Sequence, residues 1–257
     1  MVDPHIAHWY PTAAYLYVLH LDALALAWEY LRRNPNYKLD WLRCHRRQTA
    51  AHHAAHRWGL RLLEDPALDA RDAHPAWFPD HDTVTQLYPD CDPPPQAAAF
   101  AFWRLPGRRC LIHDGRRLVL MLHWPGGCRR FALAPGLSDG VAFAYAVRAH
   151  AHLSSPIATP DIAPAATTSP RPSAPALQEL HTLQALDATL AGASLREVAE
   201  GLYGVDAAAT WYSDGGLRSK VRRLVQRGNT LMRDGYRQLA QLPPLEKGRS
   251  ESDAERP

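Results

Sequence analysis

Between Ser194 and Gly204 the chain spells out a helix together with both of its ends. Ser194 puts a hydroxyl where an unpaired N–H of the first turn needs an acceptor, and Glu197 can reach back to the Ser194 N–H, forming a capping box. Leu195, Val198, Ala199 and Leu202 recur at i, i+3, i+4 and i+7, one apolar stripe, and Gly204 suits the left-handed position that closes a helix. A second, longer segment follows, with Leu217, Val221, Leu224 and Val225 on one face and cations on the other. A short capped helix followed by a basic amphipathic helix is the pattern of a helix-turn-helix DNA reader.

A helical wheel assigns the cations their directions. At about 100° per residue, Ser219, Arg222, Arg223 and Gln226 point away from the face centred on Leu217, Val221 and Leu224. Arg218, Lys220 and Arg227 lie on its flanks. A helix seated in a major groove needs this division, with outermost side chains at base edges and flanking cations at phosphates. The charge is also concentrated. From Asp214 to Arg237 seven Lys/Arg stand against two acids, a net of +5, whereas the whole chain carries +3 and the remainder therefore −2. The i,i+4 Glu–Lys pairs of a merely solvated helix are missing from this stretch. The seven residues Arg218, Ser219, Lys220, Arg222, Arg223, Gln226 and Arg227 are the candidate DNA contacts. About nine residues, Val205 to Ser213, separate the two helices, against the three or four usual in a helix-turn-helix, and Trp211 and Tyr212 are the residues able to pack that connection down.

The rest of the chain supplies boundaries. Leu153 to Ala176 carries prolines at 156, 160, 164, 170, 172 and 175, separated mainly by Ala, Ser and Thr. Such a stretch builds no core and favours extended backbone, a tether. After it, Leu177, Leu180, Leu183, Leu186 and Leu190 mark a helix that ends at Gly192, completing a three-helix unit at 177–241. Residues 242–257 read as a polar, disordered tail. Toward the N-terminus, residues 1–72 are helical. Pro11 and Thr12 open one segment; Asp22 caps a second, Ala23 to Asn34, which Pro35 stops; Asn36 or Asp40 starts a third that runs toward Trp58. Residues 73–152 change character. Asp114-Gly115 sits between the alternating runs Arg109 to His113 and Arg116 to His123, a hairpin signal, and Gly126-Gly127 turns into a third strand near Arg130 to Leu133. Val141 to Val147 fits either a strand or a helix. The fold class expected is α+β: an N-terminal helical domain, a small antiparallel hairpin or meander, a proline-rich linker and a C-terminal three-helix unit.

Two parts of the chain carry a resemblance. Tyr15-Leu16, Leu21-Asp22 and Trp28-Glu29-Tyr30-Leu31-Arg32-Arg33-Asn34-Pro35-Asn36-Tyr37 resemble a regulator-like domain of proteobacterial mobile elements. Leu186-Asp187, Leu190-Ala191-Gly192-Ala193-Ser194, Arg196-Glu197-Val198-Ala199, Leu217-Arg218-Ser219-Lys220-Val221-Arg222-Arg223-Leu224, Arg227-Gly228, Met232-Arg233 and Gly235-Tyr236-Arg237 resemble a helix-turn-helix variant domain. Chains joining both resemble the FseA-type transcriptional activators of integrative and conjugative elements, while the second domain alone is similar to QseM-type antiactivators. The resemblance implies a DNA-binding activator of excision or transfer genes. Its partners would be double-stranded promoter DNA, RNA polymerase and a small antiactivator protein. The alternative it allows is an interaction protein whose C-terminal domain binds another regulator and not DNA.

Other chemistries fare worse. No apolar run approaches the roughly 20 residues of a membrane span, and Asp3, His5 and His8 interrupt any secretory leader. Cys44, Cys91, Cys110 and Cys128 are widely spaced, so a cytoplasmic, reduced protein is expected. His45, His52, His53 and His56 gather beside Cys44, and His52 and His56 are i,i+4 on a helix, able to share a metal only with ligands from elsewhere. Without a His-Glu-x-x-His, a Gly-x-Ser-x-Gly, a P-loop or a Gly-x-Gly-x-x-Gly, neither an enzyme nor a cofactor is expected. Leu24, Trp28 and Leu31 share a core face. Arg32 and Arg33 have two readings, favouring the helix dipole on the last turn or joining Arg46 and Arg47 in a second cationic surface.

Overall fold

The computed structural model describes residues 9–47, 52–78, 84–113, 117–124, 127–146, 172–209, 211–213 and 215–242. The expected hairpin turn at 114–115, Gly126, most of the proline-rich tether and the tail beyond 242 lie outside these residues. The fold is α+β, with helical N- and C-terminal regions around a five-stranded sheet.

The N-terminal helices begin where local chemistry satisfies their free N–H groups. A 3-10 segment, Thr12–His20, leads to Asp22, whose carboxylate accepts from the Ala25 N–H at 2.7 Å and caps helix α1, Ala23–Leu31. Helix α2, Pro35–Arg47, starts from Asn34, whose carboxamide oxygen accepts from the N–H groups of Asn36 and Tyr37 at 2.9 and 3.3 Å. Pro35 therefore opens the third segment as well as ending the second, its missing N–H costing nothing in a first turn. Helix α3, His52–Arg57, follows.

The sheet contains β1 (Val84–Pro89), β2 (Arg108–His113), β3 (Leu118–Trp124), β4 (Gly127–Leu133) and β5 (Phe143–Ala146), in the order β2-β3-β4-β1-β5. Strands β2, β3 and β4 form the antiparallel meander that the turn residues foretold, with His113 paired to Leu118 and Leu122 to Arg129. Strand β1 adds in parallel beside β4, and β5 closes the far edge antiparallel to β1, which makes 143–146 a strand. Leu87, Leu120, Leu122 and Phe131 pack on one face with Phe100. On the other face Arg130, nearly buried, reaches the Asp22 carboxylate at 3.2 Å and ties the sheet to the start of α1.

The C-terminal region comprises α4 (Ala174–Leu190), α5 (Leu195–Tyr203), α6 (Val205–Ala209), α7 (Gly215–Thr230), a π-helical turn (Leu231–Gly235) and α8 (Tyr236–Leu239). Helix α4 is apolar on two sides. Leu180, Leu183 and Leu186 join Tyr15, Val18, Trp28, Tyr30 and Leu31 in one core, together with Leu231, Met232 and Tyr236. Ala185 and Ala188 belong instead to a second core with Val198, Ala199, Val221, Leu224 and Trp211, which Trp9 also enters. The two ends of the chain thus share their largest core.

Polar contacts reinforce that union. The Arg33 guanidinium, buried just beyond the end of α1, donates to Asp187 through Nε (2.6 Å) and Nη2 (2.8 Å) and pairs with Glu29 of α1. The Tyr15 hydroxyl donates to the same Asp187 carboxylate at 2.8 Å, and the Asn34 amide donates to the Met232 carbonyl at 3.0 Å. The Gln184 amide donates to the carbonyls of Trp9 and Tyr10. Apart from the Arg33–Glu29 pair, the partners in these contacts are 154 or more residues apart in the chain.

Candidate nucleic-acid interface

Helix α5 forms as its sequence requires. The Ser194 N–H donates to Glu197 at 2.7 Å and the Glu197 N–H to the Ser194 hydroxyl at 3.3 Å, so both arms of the capping box are made. The Glu197 carboxyl, stabilised as the anion by these Ser194 donors, is held below its ordinary range. Gly204 ends the helix at φ +89°, a conformation that favours glycine, and turns the chain outward. The connection of about nine residues, Val205 to Ser213, contains the short helix α6. Trp211 buries beneath it in the second core, while Tyr212 stays 76% exposed.

Helix α7 has the phase that the wheel demands. Val221 and Leu224 are buried, and Leu217 and Val225 pack against the same cluster as Leu195 and Leu202 of α5. Its crossing with α4 is set at Gly228, where a Cβ would stand 3.0 Å from Leu186 Cβ and 3.2 Å from the Thr182 carbonyl oxygen. A Cβ there would press on both neighbours, so a larger residue would have to push the two helices apart by a few tenths of an ångström. The reverse face carries Arg218, Ser219, Lys220, Arg222, Arg223 and Gln226, all exposed. Arg223 Nε donates to the Ser219 carbonyl at 3.2 Å, which leaves the outer nitrogens of the guanidinium available. Among the described residues no carboxylate pairs with Arg218, Arg222 or Arg223.

The flanks are more differentiated than a wheel can show. The Lys220 ammonium stands 4.4 Å from the centroid of the Tyr203 ring, a cation–π contact that fixes the long side chain beside α5. His181 meets the same ring, and burial first, then the Lys220 charge, pushes its pKa down. Arg227 is paired with Glu179 of α4, so of the seven candidates it alone is engaged by a carboxylate among the described residues. Two groups that periodicity did not single out join the surface. Arg196, in the first turn of α5, lies over the exposed Tyr212 ring at 5.6 Å. Tyr212 belongs to a connection with no helical period to flag it, and nothing in the spacing links residue 196 to residue 212.

The proposed second cationic surface loses two of its members. Arg33 is buried against Glu29 and Asp187, and Arg32 donates to Glu29 at 2.8 Å. Both arginines therefore neutralise carboxylates inside the fold. Two of the four clustered histidines are likewise engaged with rings. His45 stacks on Trp41 at 4.9 Å and His56 on Phe78 at 4.2 Å. Among the described residues no three His, Cys, Asp or Glu side chains are gathered to hold a metal; the His52 side chain lies outside them. Burial raises the Cys110 thiol above its ordinary pKa, the opposite of an activated nucleophile. No described helix is long and apolar enough to cross a membrane.

Comparison with known families places this geometry. Residues 8–62 match a family described as "Proteobacterial transcriptional regulator-like domain", and residues 131–241 match one described as "T6SS, Transcription factor, DNA binding domain". These are domains of a DNA-binding transcription regulator. Residues 82–129 match a domain of unknown function. No curated protein matches the chain. Neither of the two regulator families is enzymatic. The DNA-binding match contains all of α4 to α8, including the basic face of α7, and begins within β4.

Proposed function

We propose that this regulator activates transcription by seating the outer face of α7 in the major groove of promoter DNA. The observation that carries the reading is the clean division of α7. Val221 and Leu224 are buried while Arg218, Ser219, Lys220, Arg222, Arg223 and Gln226 all face solvent. Among the cations Arg222 and Arg223 point most nearly outward, on either side of Ser219 and Gln226, and suit guanine edges, and Lys220, pinned on Tyr203, suits a phosphate. The resemblance to activators of integrative and conjugative elements supports excision or transfer genes as the targets. RNA polymerase and a small antiactivator are the partners that go with that role, in the bacterial cytoplasm.

The test is duplex binding across a salt series, using DNA from upstream of the genes neighbouring its own. Arg222→Ala or Arg223→Ala should cost about 1–3 kcal/mol on the cognate site and little on scrambled DNA. Lys220→Ala should weaken both duplexes alike and flatten the log–log salt dependence by about one. Equal losses on both duplexes for every variant would reduce α7 to an electrostatic patch. Unchanged DNA binding with loss of a protein partner would favour the interaction-protein alternative.

A further inference from the structure

Glu179 sits where the two ends of the chain meet the basic helix. Its Oε2 accepts from the Tyr30 hydroxyl of α1 at 2.6 Å, and its Oε1 pairs with Arg227 Nη2 of α7. The Glu179 side chain is only 12% exposed and Arg227 39%. Tyr30 is buried, so the Glu179 end of the pair lies under the N-terminal layer while Arg227 stays partly exposed, and the pair is screened less than one fully in solvent. On the wheel Arg227 lies on the flank of α7, about 100° from the outward centre, and the pairing draws its guanidinium toward α4. A cation already neutralised inside the protein releases no counterion when DNA arrives, because only cations that replace condensed counterions at phosphates do so.

We infer that Glu179, held in place by Tyr30, is a positioning residue that withholds Arg227 from the DNA backbone, so that the N-terminal helices set how many cations α7 presents. This rests on the reading of α7 as a DNA-binding helix. The two halves of the C-terminal surface then differ. Arg218, Lys220, Arg222 and Arg223 act in every state, whereas Arg227 becomes a phosphate contact only when the Glu179 carboxylate no longer holds it. Any partner or modification that moves α1 off α4 would uncover this pair to solvent.

The experiment measures affinity of the full chain for a random duplex between 50 and 200 mM salt. Glu179→Gln keeps the shape and an acceptor for Tyr30 while removing the charge. It should steepen the log–log salt slope by about 0.9, so that its affinity relative to the native chain falls about 3.5-fold across that range. Arg227→Ala alone should leave the native slope unchanged, and the double variant should return the Glu179→Gln slope to the native value. A thermal melt of each variant, showing one transition, separates loss of fold from loss of contact. A native-like slope for Glu179→Gln, or a flattened slope for Arg227→Ala alone, overturns the inference. Lys220→Ala, which removes a phosphate contact and should flatten the slope on any duplex, is the independent control. If it flattens the slope while Glu179→Gln does nothing, the DNA reading stands and only the Glu179 role fails; if no variant or native chain binds duplex DNA, the DNA reading itself fails.

Discussion

Replacing Asp187 by alanine asks whether the two ends of the chain are one cooperative structure. The carboxylate accepts two hydrogen bonds from Arg33, at 2.6 and 2.8 Å, and a third from the Tyr15 hydroxyl at 2.8 Å. Burial opposes its ionisation, but the Arg33 charge and the Arg33 and Tyr15 hydrogen bonds outweigh burial and hold the carboxyl below its usual range. Truncation leaves Arg33, 7% exposed, with Glu29 as its remaining counterion. Breaking a buried pair costs about 3–5 kcal/mol, and the surviving Glu29 pair places this loss at the lower end. The Tyr15 hydroxyl, left buried without its acceptor, adds about 1–3 kcal/mol. A total of about 4–6 kcal/mol is a large part of the roughly 5–15 kcal/mol that holds a domain together. Urea denaturation followed by far-UV circular dichroism and by tryptophan fluorescence would measure it. Trp28 reports on the N-terminal helices and Trp211 on the α5–α7 unit, so both probes should shift together to a lower midpoint with an unchanged slope. Asp187→Asn, which keeps the shape and an acceptor for Tyr15, should lose less than alanine. A loss under about 1 kcal/mol, the range of a surface pair, or separate transitions for the two probes would refute the reasoning.

The pH dependence follows from the same groups. Glu29 is fully buried and the Asp187 side chain three-quarters buried, and in both the arginine partners overcome burial and depress the pKa. Their contribution is complete above the unfolded carboxylate pKa of about 4 and is lost as pH falls through the lower folded values. The midpoint gap between the native chain and Asp187→Ala should therefore hold steady from neutrality to about pH 5, since the depressed pKa values of His74 and His181 lower both proteins alike, and should narrow below about pH 4; equal descents in both proteins would count against it. Leu224→Ala should cost about 2–5 kcal/mol by the same assay, as for other buried leucines, and a negligible loss would undo the helical phase on which the DNA surface depends.

Much of the local structure was legible because its causes are local. Ser194 and Glu197 lie three residues apart, Asp22 caps the helix it precedes, and Val221 and Leu224 share a face by helical period. The meander was legible because β2, β3 and β4 follow one another with turn residues between them. Strand β1 was not, since its ladder to β4 joins residues more than forty positions apart and no turn signals it. The face of α7 was readable for the same reason as the cap, yet the state of Arg227 was not. Its partner Glu179 lies 48 residues away on a helix whose leucines announced only that something apolar covers them. Likewise the Trp28 to Tyr37 motif announced a helix and a core, whereas the burial of Arg33 depends on Asp187, which is 154 residues distant. Period and capping define an element and its faces; which element covers each face is decided by tertiary contacts that carry no short-range signature.

Helix α4 explains why a proline-rich connection and a shared core are compatible. Chain entropy penalises loop closure only slowly with length, by about 0.6 kcal/mol for each doubling, so a long connection costs the contact between its ends little. What α4 gains by that contact is large. Leu180, Leu183 and Leu186 are buried against the N-terminal cluster, and burying a leucine side chain is worth about 1.5–3 kcal/mol. The opposite side of the same helix supplies Ala185 and Ala188 to the core that supports α7, and Gly228 seats α7 directly on Leu186 and Thr182. The platform under the basic helix is therefore the same helix that Arg33 and Tyr15 grip through Asp187. Displacing the N-terminal helices would expose Leu180, Leu183 and Leu186 and remove the Tyr30 contact to Glu179 together, so on the inferred role of Glu179 the stability of the platform and the charge presented by α7 are coupled.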